Sequence, residues 1–442
     1  MSLLNDVSIV VTPNGYGVKK LHAVVPISGA ADMVVTRATD AIRVNEDGLI
    51  ESVLSNVPRI DYTGGGCPHI LAEPQRTNLI TYSEAFDNSY WTKTGSSVVS
   101  GFTSPDGTAN AFKLIEDSSN SKHQISSTVV TTSGYVSASV FSKYLSRYLR
   151  LTIHNSTNAN KWYCVIYDLQ NGNIYDSLAQ TVSVFDSKIE QMTNGYYRCV
   201  ISADLGTNST TLFYIQTSNG ADILSSDDRG RGVYQGDGTS GVYLFGAQLE
   251  VGSFSTSYIL TSGSTVTRNK DQFTKNNLAN LINSTEGVLF VEIAALSNDL
   301  STRIISLSDG SDNNRIHLFY HSVSNGIAVN YRVGGVTRSS SAFTFDNITN
   351  FNKIAYKYKS GDFALWCNGV EVATQTNTTM LAANVLNKLA FEIGTGTAQF
   401  FGKVKQLQVY KTALTDNQLM RLTSESYESY SAMASALTYT IQ

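Results

Sequence analysis

Residues 135–141 read Tyr-Val-Ser-Ala-Ser-Val-Phe, and residues 353–359 read Lys-Ile-Ala-Tyr-Lys-Tyr-Lys. In both stretches apolar and polar side chains alternate, which is the pattern of a β-strand with one buried face and one exposed face. Comparable runs, separated by Asn, Gly and Ser turns, recur about every ten residues. The alternation therefore predicts an all-β protein with two antiparallel β-sandwich, or jelly-roll, domains.

The chain is longer than one hydrophobic core usually serves, because it has 442 residues. The first part contains short runs broken by turn sequences such as Gly64-Gly-Gly-Cys-Pro68, and we interpret it as irregular. In chain order, the predicted parts are an irregular N-terminal segment (1–92), a first sandwich (93–268), a second sandwich (280–423) and a C-terminal tail (424–442).

One short C-terminal helix is expected near the end of the second sandwich. Thr415 and Gln418 have the spacing of a capping box, and Leu419 and Leu422 supply a small apolar stripe. The tail that follows is rich in Ser, Tyr and Ala, so its conformation is not fixed by any periodic pattern.

The composition excludes several classes of protein. Charged residues make up 15% of the chain and the net charge is −4, without any cluster of Lys or Arg. Because a nucleic-acid binder needs a basic surface, we expect no nucleic-acid partner. No apolar run approaches the roughly 18 residues of a membrane span, so we expect no membrane insertion. No signal peptide is visible, so we expect synthesis in a cytoplasm.

The cysteines and acidic residues were considered as metal ligands. Cys67, Cys164, Cys199 and Cys367 are widely spaced, so reduced, buried thiols are more consistent with the sequence than a zinc site. No cofactor is expected, apart from a structural calcium ion that an acidic loop could hold as an alternative to plain solvation. The candidate calcium ligands are Asp222, Asp227, Asp228 and Asp237.

No known catalytic motif is present. Gly236-x-Gly238-x-x-Gly241 has the spacing of a dinucleotide-binding loop, but a strand follows it where that loop needs a helix, so we interpret it as a tight turn. The sequence contains no Glu-x-Asp-x-x-Glu string, no His-Glu-x-x-His site and no Gly-x-Ser-x-Gly elbow. A non-enzymatic protein is therefore predicted, without catalytic residues, and a glycan-cleaving depolymerase remains the less favoured alternative.

Charged residues are concentrated in the first part of this charge-poor chain. We expect them to form ion pairs that lock the N-terminal segment to the first sandwich or to a neighbouring subunit. The arginines are Arg37, Arg43, Arg59 and Arg76, and the carboxylates are Asp40, Glu51, Asp61 and Glu73.

Two segments carry a resemblance. One runs from Arg37 through Pro58-Arg-Ile-Asp-Tyr62 and Glu73-Pro-Gln-Arg-Thr-Asn-Leu79 to Trp91, and the other runs from Gly236 to Tyr258. Together they resemble tailed-bacteriophage structural and receptor-binding proteins that carry a carbohydrate-binding-module-like jelly roll. The resemblance implies an N-terminal segment attached to the particle, other virion proteins as partners, and commonly a homotrimer on a fibre, spike or head decoration.

The C-terminal part resembles the laminin-G-like, or concanavalin A-like, lectin/glucanase sandwich. The residues that carry this resemblance are Asn352 to Lys359, Phe363 to Val370, Lys405 to Tyr410 and Ala413-Leu-Thr415. Both resemblances imply glycan binding, which needs aromatic faces against sugar C–H groups and polar side chains for hydroxyls. The candidate contacts are Trp162, Tyr163 and Tyr234 in the first sandwich, and Tyr320 and Tyr331 in the second.

These observations lead to one functional hypothesis and two alternatives. The chain is expected to be a virion structural protein, such as a head or tail fibre or decoration, that displays glycan-binding sandwiches for attachment to the host surface and is released by lysis. The first alternative is a purely structural decoration that binds no sugar, and the second is the depolymerase.

Overall fold

The protein is described by a computed structural model over residues 7–207, 210–222 and 227–424, without the side chains of Asp227 and Asp228. Of the predicted C-terminal tail, all but Ser424 lies outside these residues. Within them the chain is almost entirely β, with one short α-helix, so the predicted fold class is confirmed. No helix among the described residues is long and apolar enough to cross a membrane.

The strands of the N-terminal half are β1 (Val7–Gly17), β2 (Lys20–Val25), β3 (Met33–Thr36), β4 (Ala41–Val44), β5 (Ile50–Val53), β6 (Arg59–Asp61), β7 (His69–Ala72), β8 (Arg76–Asn78), β9 (Thr92–Thr94), β10 (Ser96–Phe102), β11 (Ala111–Glu116), β12 (Asn120–Ser121), β13 (Gln124–Val130), β14 (Tyr135–Tyr144), β15 (Tyr148–Asn155), β16 (Trp162–Asp168), β17 (Asn173–Gln180), β18 (Ser183–Gln191), β19 (Tyr196–Asp204) and β20 (Thr210–Ser218).

The remaining elements are β21 (Tyr234–Gln235), β22 (Gly241–Val251), β23 (Val266–Arg268), β24 (Gln272–Lys275), β25 (Glu286–Ala295), β26 (Ile304–Ser308), β27 (Arg315–Tyr320), β28 (Gly326–Val333), β29 (Val336–Thr344), β30 (Asn352–Lys359), β31 (Phe363–Cys367), β32 (Val370–Gln375), β33 (Lys388–Ala390), β34 (Gly402–Tyr410) and α1 (Asp416–Ser424).

The chain divides into two compact units, and the first 92 residues do not form a separate irregular segment. Unit 1 comprises Met1–Asp40, Val53–Pro74 and Asn269–Gln442, and unit 2 comprises Ala41–Ser52 and Gln75–Arg268. The N-terminal residues instead supply regular strands, chiefly to the unit that contains the C-terminal sandwich. Local sequence could not show this, because β1 also pairs with β34 and β3 with β24, and both of these strands lie more than 200 residues further along the chain.

Unit 1 is an antiparallel sandwich. Its strands follow one ladder in the order β29-β28-β27-β26-β33-β24-β3-β2-β1-β34-β25-β30-β31-β32. Leu318 and Val329 from one half of this ladder share a buried core cluster with Leu289, Ile354 and Leu407 from the other half. Because side chains from both halves meet in one core, the ladder is folded into two layers.

Helix α1 packs against unit 1 as the sequence predicts. The backbone N–H of Thr415 donates to the Gln418 side chain at 2.9 Å, and the backbone N–H of Gln418 donates back to the Thr415 hydroxyl at 3.4 Å, which is a reciprocal capping box. Leu419 and Leu422 pack in a buried cluster with Trp366. The predicted helix and its cap are therefore confirmed.

Unit 2 is a sandwich of two six-stranded antiparallel sheets, with the orders β10-β11-β22-β14-β19-β18 and β17-β16-β15-β20-β13-β9. Leu149, Leu151 and Ile153 of β15 point into the core between the sheets. Their neighbours Arg150 and Thr152 therefore lie on the outer face of the second sheet. The predicted Gly236–Gly241 turn is closed by Asp237, whose carboxylate accepts from the backbone N–H groups of Thr239 and Ser240.

The four cysteines form no disulfide among the described residues. Cys164, Cys199 and Cys367 are buried, and Cys67 is partly exposed. Burial raises the pKa of the Cys164 thiol to about 11, so it is protonated at neutral pH. No group of three His, Cys, Asp or Glu side chains suited to a metal ion occurs in the described part of the chain.

Candidate functional site

The five aromatic residues predicted to contact sugar are all buried, so none offers an open ring face. They are Trp162, Tyr163, Tyr234, Tyr320 and Tyr331. The prediction used residue type and strand location, but it did not determine which face of each strand points into the core. The aromatic side chains that reach the surface are different ones.

In unit 1 the prediction chose residues on the inward face of each strand instead of residues on the outward face. Tyr320 and Tyr331 belong to the core cluster, where Tyr320 packs on Phe400 and Tyr331 on Phe363. Because side chains alternate along a strand, the residues beside them face outward. The period-two apolar series Ile316, Leu318 and Tyr320 already marked the inward face in the sequence.

In unit 2 the candidates have structural roles. Tyr163 is part of the core, and the Trp162 indole N–H donates to Gln180 at 2.7 Å beneath the backbone of Gly230. The Tyr234 hydroxyl donates to the buried Glu116 carboxylate at 2.6 Å. Each polar atom is thus used within the protein, as expected for buried tryptophan and tyrosine.

The outward face of β27, β28 and β29 in unit 1 has a partly exposed aromatic ring beside polar side chains, which the sequence analysis had expected at other residues. We call it the Phe319 face, and we define it by Arg315, His317, Phe319, His321, Ala328, Asn330, Arg332, Arg338, Ser340 and Ala342. Phe319 is partly exposed at its centre. The rings of His317 and Phe319 stack with centroids 5.3 Å apart, and the His321 ring lies 6.1 Å from Phe319 on the other side.

Small side chains continue the row that begins at Phe319. Phe319 is paired with Ala328 on β28, and Ala328 is paired with Ala342 on β29. Strands lie about 4.8 Å apart, so this row spans about 10 Å. Ala328 is buried, with 4% of its surface exposed, whereas Ala342 at the end of the row is exposed. The row is an apolar floor whose exposed parts are the edge of the Phe319 ring and Ala342.

The next row of the Phe319 face is polar. His317 is paired with Asn330, which is paired with Ser340. The Arg315 Nε–H donates to His317 Nδ1 at 3.2 Å, and Asn330 Nδ2 lies 3.4 Å from His317 Nε2. Burial, together with the charges of Arg315 and Arg332, lowers the pKa of His317 to about 3. The imidazole is therefore neutral above pH 5, and its Nδ1 accepts from Arg315.

One end of the Phe319 face is positively charged. Arg315 and Arg332 lie directly opposite each other on β27 and β28, and Arg338 is exposed on β29. Arg315 has an ion pair with Asp312, whereas neither Arg332 nor Arg338 has a carboxylate partner among the described residues. Phe319 lies four positions after Arg315 on β27, which corresponds to about 14 Å.

Residues 392–397 border the Phe319 face on the side of β26. The Ser306 hydroxyl donates to the Glu392 carbonyl at 2.6 Å, and a Cβ on Gly394 would lie 2.9 Å from the Ser308 hydroxyl. The buried Glu392 carboxylate has an ion pair with Lys388 at 2.6 Å and accepts from the Gly394 N–H. This carboxylate is therefore already satisfied within the protein.

The predicted ion pairs form a buried network, with a partner that the sequence analysis missed. Asp271 accepts from Arg37 Nη1 at 2.9 Å, from Arg59 Nη2, and from the backbone N–H of Glu73 at 2.9 Å. Arg59 also has an ion pair with Glu73 at 2.6 Å. All of these residues lie in unit 1, so the network joins N-terminal strands to the C-terminal sandwich. The sequence analysis had instead expected it to join them to the first sandwich or to a neighbouring subunit.

Charge within this network is balanced. Burial alone would lower the pKa of Arg59, but the carboxylates of Asp271 and Glu73 raise it above the usual value. The remaining Arg37 donors bond to backbone carbonyls, including that of Leu54 at 2.7 Å. Asp271 could not be identified from sequence, because it follows the first sandwich and is far from the arginine cluster.

The other predicted charged residues lie apart from this network. Arg43 has an ion pair with Glu51 at 2.6 Å within the hairpin of β4 and β5. Arg76 Nε lies 3.8 Å from the buried Glu250 carboxylate, and Asp61 lies 3.5 Å from His69 Nε2.

The structure does not bring the predicted calcium ligands together as a metal site. Asp222 has a buried ion pair with Arg150 at 3.0 Å, and Asp237 has an exposed ion pair with Arg147 at 3.1 Å. A neighbouring guanidinium disfavours a cation at either carboxylate. The side chains of Asp227 and Asp228 lie outside the described residues.

The comparisons with known proteins concern both the family and the fold. Residues 289–420, which include the Phe319 face, match a family described as the concanavalin A-like lectin/glucanases superfamily. This part of unit 1 is therefore similar to carbohydrate-binding β-sandwiches. No curated protein matches the chain.

Solved structures with related segments include the Ruminococcus gnavus IT-sialidase CBM40 bound to alpha2,3 sialyllactose, at 19% identity over 32% of this chain and 83% of that chain, with a TM-score of 0.28. Domain 4 of the extracellular arabinanase AbnA from Geobacillus stearothermophilus, in complex with arabinotriose, is 14% identical over 35% of this chain and 73% of that chain, with a TM-score of 0.29.

Proposed function

We propose that this chain is a non-enzymatic structural protein of a tailed-bacteriophage particle that binds glycan of the host surface through its sandwich units. The observation that carries glycan binding is the Phe319 face. It places the partly exposed Phe319 ring in one row with the exposed Ala342, and the amide of Asn330 and the hydroxyl of Ser340 lie in the next row. Sugars bind to such surfaces through C–H contacts with the ring and hydrogen bonds from their hydroxyls.

The particle assignment is supported by the sequence. The paired segments before Trp91 and after Gly236 are similar to those of phage structural and receptor-binding proteins. The low charged fraction of 15% is typical of particle-exposed β-proteins that use hydroxyl and amide groups as their polar surface. In this proposal the chain is a homotrimer that contacts other virion proteins, and it reaches the virion from the host cytoplasm and is released by lysis.

Binding without cleavage is supported by the carboxylates near the Phe319 face. Glycoside hydrolysis needs two carboxyl groups that are free to act as acid and as nucleophile or base. Glu392 is held by Lys388 and the backbone, and Asp312 by Arg315. Both carboxylates are engaged in structural ion pairs.

The glycan function is tested by incubating the purified chain with polysaccharides from bacterial surfaces and measuring both retention and polymer length. We expect retention without shortening. Shortened polymers would show a depolymerase, and neither retention nor shortening with any surface polysaccharide would show a purely structural decoration. Electron cryomicroscopy of the phage particle, with antibody to the chain, tests the virion assignment separately.

A further inference from the structure

Unit 2 has a stacked tyrosine pair at its surface. The rings of Tyr148 and Tyr175 lie 4.8 Å apart with an angle of 18° between their planes. Tyr148 is partly exposed, and Tyr175 is 51% exposed. One face of the Tyr175 ring is therefore supported by Tyr148, and most of the remaining ring is open to solvent.

The local strand geometry explains this arrangement. Tyr148 begins β15 and shares its face with Arg150, because Leu149 between them points into the core. Tyr175 is the extra residue of a β-bulge: Ile166 pairs with Asp176, and Tyr167 pairs with Ile174. A bulge re-aims a side chain, and here it turns the Tyr175 ring across the sheet onto Tyr148.

Polar groups that suit sugar hydroxyls surround the pair. Asn173 and Asp176 are exposed on the same strand as Tyr175. Asn219 is exposed just after Ser218, the residue that pairs with Tyr148. Gly220 lies against the Tyr148 ring so closely that a Cβ there would be 2.6 Å from it. The turn that carries Asn219 is thus fixed next to the aromatic pair.

The charge near the pair is negative. Burial and the nearby Asp168 carboxylate raise the pKa of Tyr148. Asp176 adds a second, exposed carboxylate beside Tyr175. An acidic sugar would be repelled by these groups, whereas an uncharged sugar can donate its hydroxyls to them. The Phe319 face, with its unpaired arginines, has the opposite sign.

We propose that the exposed Tyr175 ring, supported by Tyr148, is a second glycan-binding platform that takes an uncharged sugar. The inference rests on the proposed glycan-binding function and gives unit 2 its own site and sugar class, and the geometry of this platform is independent of the Phe319 face. A chain with two platforms, each weak alone, holds a multivalent surface more tightly than either platform does.

The test uses the full chain with Phe319→Ala, which leaves Tyr175 as the site under study. The probes are neutral glucose, galactose and mannose oligosaccharides, and binding is measured by calorimetry. We expect the Phe319→Ala chain to bind at least one of them. Adding Tyr175→Ala should weaken that binding at least about tenfold. Adding Tyr135→Ala should not, although Tyr135 is also 51% exposed in unit 2.

Three results would overturn the proposal: no neutral oligosaccharide bound by the Phe319→Ala chain, full binding retained after Tyr175→Ala, or equal losses after Tyr175→Ala and Tyr135→Ala. Circular dichroism of each variant checks that unit 2 remains folded, and Tyr175→Phe should retain binding because it keeps the ring. If the Phe319 face did not bind glycan, the result would be different: the Phe319→Ala chain would bind every glycan as tightly as the unmodified chain does.

Discussion

Arg59 and Asp271 are 212 positions apart in the chain, yet their side chains form an ion pair from which solvent is excluded. Arg37 and Glu73 complete the network, so strands from the N-terminal region are tied to residues that follow the first sandwich. Such pairs specify one arrangement of the chain, because breaking them leaves a charge buried without compensation.

Arg59→Ala should lower the free energy of unfolding of unit 1 by about 3–5 kcal/mol, because Asp271 and Glu73 lose their main buried cation. Urea unfolding measures this. The control is Arg43→Ala, whose pair with Glu51 is partly exposed and should contribute about 1 kcal/mol or less. If the two variants were equally stable, the network would not stabilise the fold.

The strands could be predicted from sequence because alternation is a local property, and the capping box of α1 was equally local. The ion-pair partner of Arg59 could not be predicted from sequence, because Asp271 comes close to Arg59 only in the assembled sheet. The predicted sugar contacts were wrong for a related reason. Tyr320 and Phe319 are adjacent aromatic residues, and which of the two points outward depends on how the strand packs on the core. The bulge that exposes Tyr175 inserts one residue, and no composition signal marks it.

Acid should destabilise unit 1 through His317. The folded pKa is about 3 and the ordinary value is 6.5, so the unfolded chain binds a proton more readily. The stability from neutral His317 is therefore complete above pH 6.5 and is lost as the pH falls toward 3. At pH 5 the loss is about 2 kcal/mol relative to pH 7.

His317→Gln removes this titration. Unfolding experiments at pH 7 and pH 5 should show a smaller loss for the variant than for the unmodified chain. The same pH dependence in both proteins would mean that His317 titrates normally in the folded state.

The arginine end should make the Phe319 face prefer acidic glycans. For an acidic and a neutral form of one oligosaccharide, we expect tighter binding of the acidic form, with a preference that falls as salt increases. Arg332→Gln should reduce the preference by roughly fivefold, which corresponds to about 1 kcal/mol. Lys411→Gln removes the same charge from an exposed position beyond β34 and should leave the preference unchanged.

Ala342→Trp should block the floor beside Phe319. Ala342 is exposed, so the indole adds bulk above the sheet without entering the core. We expect glycan binding by unit 1 to be lost while the midpoint of thermal unfolding stays within a few degrees of the original. Ala383→Trp, at an exposed alanine outside the Phe319 face, serves as the control. Retained binding in the Ala342→Trp chain would place the site elsewhere.

The most direct measurement is calorimetric titration of a bacterial surface oligosaccharide, selected on a glycan array, into the unmodified chain and the Phe319→Ala chain. The matched control is Tyr16→Ala, which removes another exposed ring of unit 1. The account predicts saturable binding that Phe319→Ala weakens about tenfold and Tyr16→Ala leaves intact. Equal affinity of all three chains, or no glycan bound by any of them, would contradict it.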